Sequence, residues 1–188
     1  MCEGWTRAHV VAHLAGSAKG LRNLIQWAVT GNKTPMYASI EARNAEIEEW
    51  SKLSPADLKA KVREESAAFA TAAQQLKGPL ATEEVANIGG PMSAYQIPAI
   101  RINEVLVHHL DLDTLWELEE ADIDALEDAL EWSAAVAQKN ADEWPGVTLV
   151  TDEGESFTIG DGAIMLKGGR DALLGWVTRG LTSGVRAD

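Results

Sequence analysis

The sequence predicts a mainly α chain, a helical bundle over residues 1–145 followed by a small α+β domain over 146–188. Three observations carry this. Apolar residues recur at helical spacing from the start, with Val10, Val11, Leu14, Leu21, Leu24 and Ile25 as the first series. Helix-start signals recur along the first 122 positions, at Thr6, Ser39, Ser54-Pro55 and Asp122. From Val147 the pattern changes to short strand-like runs separated by turn residues.

Taken in order, Thr6 is placed to cap a helix beginning near Arg7, and Gly31-Asn32 ends it. Residues 33–37 read as a loop, and Ser39 as the cap of a polar helix containing Arg43, Ile47 and Trp50. Ser54 followed by Pro55 joins a capping serine to a proline at the first helical position, so an alanine-rich amphipathic helix is expected to about Leu76. Gly78-Pro79 and Gly89-Gly90-Pro91 break residues 77–91 into loop or short extended structure. Pro98 suits the first turn of a central helix expected to run to about Trp116, and Asp122 caps another that ends before Trp144-Pro145-Gly146. The runs 147–150 and 156–159, joined through Asp152-Glu153-Gly154, predict a hairpin. A third run at 163–166, a short helix over 171–179 and a tail complete the chain.

With 188 residues, 46% apolar and 24% charged, the composition is that of a globular chain long enough to bury a core without staples. A formal charge of −13 argues against nucleic acid or an anionic membrane surface as partner, since both require a basic patch. The single Cys2 excludes an internal disulfide framework or a multi-cysteine zinc site, and it reads as incidental. No signal peptide or membrane-length apolar run is visible, so the cytoplasm is the expected compartment.

Glu104 and His108 are four residues apart on the central helix, which stacks a carboxylate and an imidazole on one face. Their neighbours Ile100, Ile102, Val105, Leu106, Val107 and Leu110 are too apolar for a solvent-facing surface, and a carboxylate there needs a partner. His13, beside Leu14 on the first helix, would complete a two-histidine, one-carboxylate set that suits Zn²⁺ with a fourth position open. Fe²⁺, Co²⁺ and Ni²⁺ suit the same donors. Spacing alone leaves His9 as a rival to His13 and His109 as a rival to His108. Arg101 and Asp111, one turn either side of the pair, are placed to orient its members or to form simple helix-face contacts. By pattern alone Arg43 is a solvated surface arginine, and Arg179 is a charge at a helix C-terminus.

Four stretches together resemble the mycothiol-dependent maleylpyruvate isomerase family, within the DinB-like superfamily of metal-binding four-helix bundles. They are Glu3-Gly-Trp-Thr-Arg-Ala-His-Val-Val-Ala-His13, Thr34-Pro-Met-Tyr37, Glu41-Ala-Arg-Asn44, and the Arg101, Glu104, His108, Asp111, Leu112 series. The resemblance runs from Glu3 to about Val185. It implies that His13, Glu104 and His108 hold zinc, that Arg43 and Arg179 handle anionic groups, Arg179 also contacting the cofactor, and that mycothiol is the thiol cofactor. The implied reaction converts maleylpyruvate to fumarylpyruvate in gentisate breakdown, with a small dicarboxylate as substrate. Family members carry another helix before Gly4-Trp5, and a bundle without it would expose apolar surface, so the expectation is a truncated start or a missing face covered otherwise, as by a partner chain. Two other functions compete with this one: a mycothiol S-transferase or metal-dependent hydrolase of the same bundle family, and a non-catalytic metal-binding module. The sequence leaves the oligomeric state undetermined.

Overall fold

The computed structural model describes residues 4–187; Cys2 and Glu3 lie outside them. The chain divides into two compact units, Met1–Glu104 and Val105–Asp188. The fold class is the expected one, mainly α with the strands concentrated towards the C-terminus, and the described residues form six α-helices.

In the first unit, α1 (Arg7–Thr30) packs against α2 (Ile40–Trp50) and α3 (Pro55–Ala73). The Thr6 side chain accepts from the His9 amide, and the His9 ring accepts in return from the Thr6 amide, closing a capping box. Gly31, at φ 74°, ends α1 in the left-handed conformation that a residue with a Cβ resists. Ser39 and Ser54 cap α2 and α3 through their hydroxyls, as their positions predict. Ala12, Ile47 and Leu58 join the three helices in one buried cluster, with Trp5 and Trp50 against it. Residues 77–91 and the two that follow take the expected short extended structure: β1 (Glu84–Asn87) and β2 (Gly90–Ser93) pair antiparallel as a short hairpin.

The helix α4 (Ile97–Leu110) stops six residues short of its expected end. The amides of Leu112 and Asp113 turn back to the carbonyls of His109 and Leu110, and Asp113 adopts φ 50°. An aspartate tolerates that conformation better than most residues. The early stop leaves Leu115 fully exposed and lets Trp116 stack on His109, with ring centroids 4.1 Å apart.

In the second unit, Asp122 caps α5 (Ile123–Lys139) through bonds from the amides of Asp124 and Ala125. The expected hairpin is present as β3 (Val147–Thr151) and β4 (Ser156–Ile159), turning at Gly154 with φ 110°. The third run becomes β5 (Ile164–Gly168), parallel to β3, and the tail contributes β6 (Arg186–Ala187). The sheet order is β4-β3-β5-β6. The helix α6 (Arg170–Arg179) packs with α5 and against this sheet, burying Leu173 and Leu174 with Leu130, Leu149 and Ile159. Helices give way to strands at Val147, where the sequence changes character.

Candidate metal centre

His13, Glu104 and His108 each offer one ligand atom, and the three atoms lie within 4.8 Å of one another. The helix α1 contributes His13, 5% exposed, and α4 contributes the other two from adjacent turns. No other set of three or more such side chains meets this condition among the described residues.

Hydrogen bonding orients both imidazoles. Arg43 Nη2 lies 3.2 Å from His13 Nδ1, and a guanidinium only donates, so Nδ1 accepts and the proton sits on Nε2. That Nε2–H donates to Glu104 Oε2 at 2.7 Å. On His108 it is Nδ1 that is engaged by a carboxylate: its N–H donates to Asp111 Oδ2 at 2.8 Å, which orients the ring.

Asp111 is 1% exposed, and its charge is held by Arg179, whose Nε and Nη2 donate to its two oxygens at 3.2 and 2.6 Å. Burial works against the Asp111 carboxylate, but the Arg179 and His108 hydrogen bonds outweigh it and hold its pKa well below the usual range. The third Arg179 nitrogen donates to the Thr178 carbonyl at 2.9 Å. Arg179 therefore acts here as the counter-charge of the residue that orients His108.

Around His13 the first unit supplies a polar and aromatic frame. The Trp5 ring lies 5.4 Å from the His13 ring, and the Arg43 guanidinium is 5.9 Å from the Trp5 and Tyr37 rings alike. Arg43 is half-buried rather than a solvated surface arginine, and its Nη1 donates to Asn44 Oδ1. Burial first, and then the Glu104 charge, push the Tyr37 phenol above its ordinary pKa, while Arg43 opposes them. Arg101, 7% exposed, donates to the Leu14 carbonyl at 2.8 Å and to Ser66 at 3.0 Å, tying α4 to α1 and α3. Burial lowers its pKa, with the Glu104 charge opposing.

The rival histidines are engaged elsewhere. His9 closes the α1 cap and reaches Glu48 at 3.1 Å, and His109 stacks on Trp116. The spacing Thr6-x-x-His9 is that of a capping box, a signal that could have set His9 aside from the sequence. Trp5 and Tyr37 carry no such local signal.

The donor set fits a divalent ion. Tetrahedral zinc with bonds near 2.1 Å places its donors roughly 3.4 Å apart, inside the span these atoms occupy. His108 already has a carboxylate behind it, bound at Nδ1. His13 would need its Nε2 proton moved to Nδ1, where an Arg43 N–H now points.

Donors converging from separate helices of a mainly α chain are the arrangement from which helical bundles build metal sites. The sequence profile of the mycothiol maleylpyruvate isomerase N-terminal domain matches residues 1–113, and the chain belongs to that family. By family it is an isomerase. Two solved structures are similar over its whole length: the crystal structure of the mycothiol-dependent maleylpyruvate isomerase and that of a histidine-to-alanine mutant of the same enzyme. Each has a TM-score of 0.82 and 28% identity, with 99% of this chain and 79% of the other covered. No curated protein sequence matches. No helix among the described residues is long and apolar enough to cross a membrane.

Proposed function

We propose that this chain is a cytoplasmic, zinc- and mycothiol-dependent cis-trans isomerase that converts maleylpyruvate to fumarylpyruvate in gentisate degradation. The observation that carries the metal-dependent reading is the convergence of His13, Glu104 and His108. Family membership and the likeness to the isomerase structures support the reaction.

Rotation about a carbon–carbon double bond requires a nucleophile that adds, leaves a single bond to rotate, and then departs. Zinc, when bound, would lower the pKa of the mycothiol thiol so that a thiolate is available at neutral pH. His13, Glu104 and His108 would hold the ion, with Asp111 fixing the His108 ring through Nδ1–H. Arg43 would receive a substrate carboxylate, because its planar fork binds carboxylates bidentately and it stands against His13. The same charge would stabilise the enolate oxygen formed as the thiolate adds. Trp5, tilted against His13, would cover one side of that ring. Arg179 would act on the reaction through Asp111 and His108. We further propose 1–145 and 146–188 as the functional domains, the boundary lying where helices give way to strands.

The test is incubation of zinc-loaded protein with maleylpyruvate and mycothiol, followed by product analysis. Fumarylpyruvate is expected, and its absence sinks this assignment. Turnover of another mycothiol acceptor in that case would place the chain among thiol S-transferases.

A further inference from the structure

In the first unit, α1, α2 and the loop over residues 31–39 enclose an open cavity of about 250 Å³. Its wall includes Arg43, which touches His13, and its polar lining continues through Tyr37 to Lys19, Asn23 and Glu46. None of these last three takes part in the proposed chemistry. The cavity depends on a close approach at Gly20. A Cβ there would lie 2.8 Å from Met36 Cγ, 3.0 Å from the Met36 carbonyl oxygen and 3.2 Å from the Tyr37 ring. Only a residue without a side chain lets the loop settle on α1 and bring Tyr37 to the cavity.

The charge pattern identifies the kind of ligand. Further along α1 from His13, the Lys19 ammonium is paired with the Glu46 carboxylate, so that end offers donors and acceptors with no net charge. Asn23 adds an amide held only loosely, its Nδ2 lying 3.4 Å from the Met36 carbonyl. A carboxylate drawn to Lys19 would meet Glu46 beside it. A hydroxyl meets no such conflict, because it can donate to Glu46 while accepting from Lys19 or Asn23. At the His13 end the guanidinium of Arg43 takes over.

We propose that this cavity is the subsite for the uncharged, hydroxyl-rich sugar–cyclitol end of mycothiol, with the thiol arm directed past Arg43 towards His13. This rests on the mycothiol-dependent reading above. The volume suits one hexose-sized ring, leaving the second in the open mouth. The two ends divide the labour: Arg43 serves the anionic substrate, and the Lys19–Glu46–Asn23 end serves the neutral polyol.

The test uses the full chain and N-acetylglucosaminyl-inositol, the thiol-free core of mycothiol, with calorimetry to measure binding directly. Wild-type protein is expected to bind the core. Asn23→Ala and Glu46→Ala should each weaken binding about ten-fold, the loss expected for one hydrogen bond in a partly enclosed site. In turnover, the same variants should raise KM for mycothiol and leave KM for maleylpyruvate and zinc content unchanged. Circular dichroism of both variants checks that either loss is not unfolding. No binding of the core, equal binding by wild type and both variants, or displacement of the core by maleate would overturn the subsite. The two readings fail separately. Core binding that is lost in the variants stands even if maleylpyruvate is not turned over, and turnover with no core binding removes the subsite alone.

Discussion

Asp111→Asn isolates the link between the buried carboxylate and the candidate ligand His108. Asparagine keeps the shape but replaces one oxygen with an NH₂. If the amide oxygen keeps the bond from Arg179 Nε, the NH₂ faces both Arg179 Nη2 and His108 Nδ1, which now approach Oδ2 at 2.6 and 2.8 Å. Arg179 then loses its counter-charge, and His108 is driven to carry its proton on Nε2, where ligation needs a lone pair. Breaking a buried pair costs about 3–5 kcal/mol. The Arg179 side chain is 27% exposed, so the lower end, about 3 kcal/mol, applies here. At roughly 2–4 °C per kcal/mol for a chain of this size, the midpoint of thermal unfolding should fall by about 6–12 °C. Zinc affinity should fall by about 10–100-fold, the usual consequence of losing the group behind a ligating imidazole. Metal-free thermal scans read the first effect, and competition against a chromophoric chelator reads the second. The sign with pH follows from the depressed Asp111 pKa. The unfolded chain takes up this proton first, so the stabilisation is present above about pH 4 and is lost as pH falls towards the folded value. The variant should lack that portion of the acid loss. An unchanged midpoint together with unchanged zinc affinity would refute the reasoning.

Three further outcomes are expected. Arg43→Ala should retain stoichiometric zinc by metal analysis while losing maleylpyruvate turnover by about a hundred-fold or more, since it removes a charge positioned for the reaction; loss of zinc with activity would instead assign Arg43 to holding the site. Gly20→Ala would ordinarily gain about 1 kcal/mol in a helix interior, but contact with Met36 should cancel it, so a thermal midpoint raised by several degrees would contradict the close approach. Glu155, pulled from its usual 4.5 to about 2 by hydrogen bonds from Arg170 and Thr151, should contribute stability that is complete above about pH 4.5 and lost as pH falls towards 2; an acid titration of Glu155→Gln should show a shallower decline than wild type.

What the sequence made legible was chemistry that acts over a few residues. Thr6, Ser39, Ser54 and Asp122 each cap a helix where their positions say they should, because a capping hydroxyl or carboxylate needs only the next three amides. The Glu104–His108 stack is legible for the same reason, being a matter of helical period. The end of α4 was not, because Leu112, Leu115 and Trp116 continue the apolar pattern while the left-handed Asp113 breaks the backbone. Nor was the pairing of β6 with β5, which depends on a sheet edge that exists only after folding. At the site, helical spacing leaves His9 and His13 as rivals, and locally only the place of His9 three residues after the capping Thr6 tells them apart. The attachment of Arg179 to Asp111 spans 68 positions, and no local pattern encodes it.

That long-range attachment limits how the chain can be divided. The family profile ends at residue 113 and takes in His13, Glu104, His108 and Asp111, whereas Arg179 lies in α6. A segment ending there would carry all three candidate ligands and still lack the cation that answers the carboxylate behind one of them. Grafts or recombinants that exchange the C-terminal part must therefore bring a guanidinium to the same place, or remove the charge at position 111 as well. The part that carries the candidate ligands is thus not a portable cassette. Its electrostatic complement is stored in the other part of the gene, and the two positions must be inherited together.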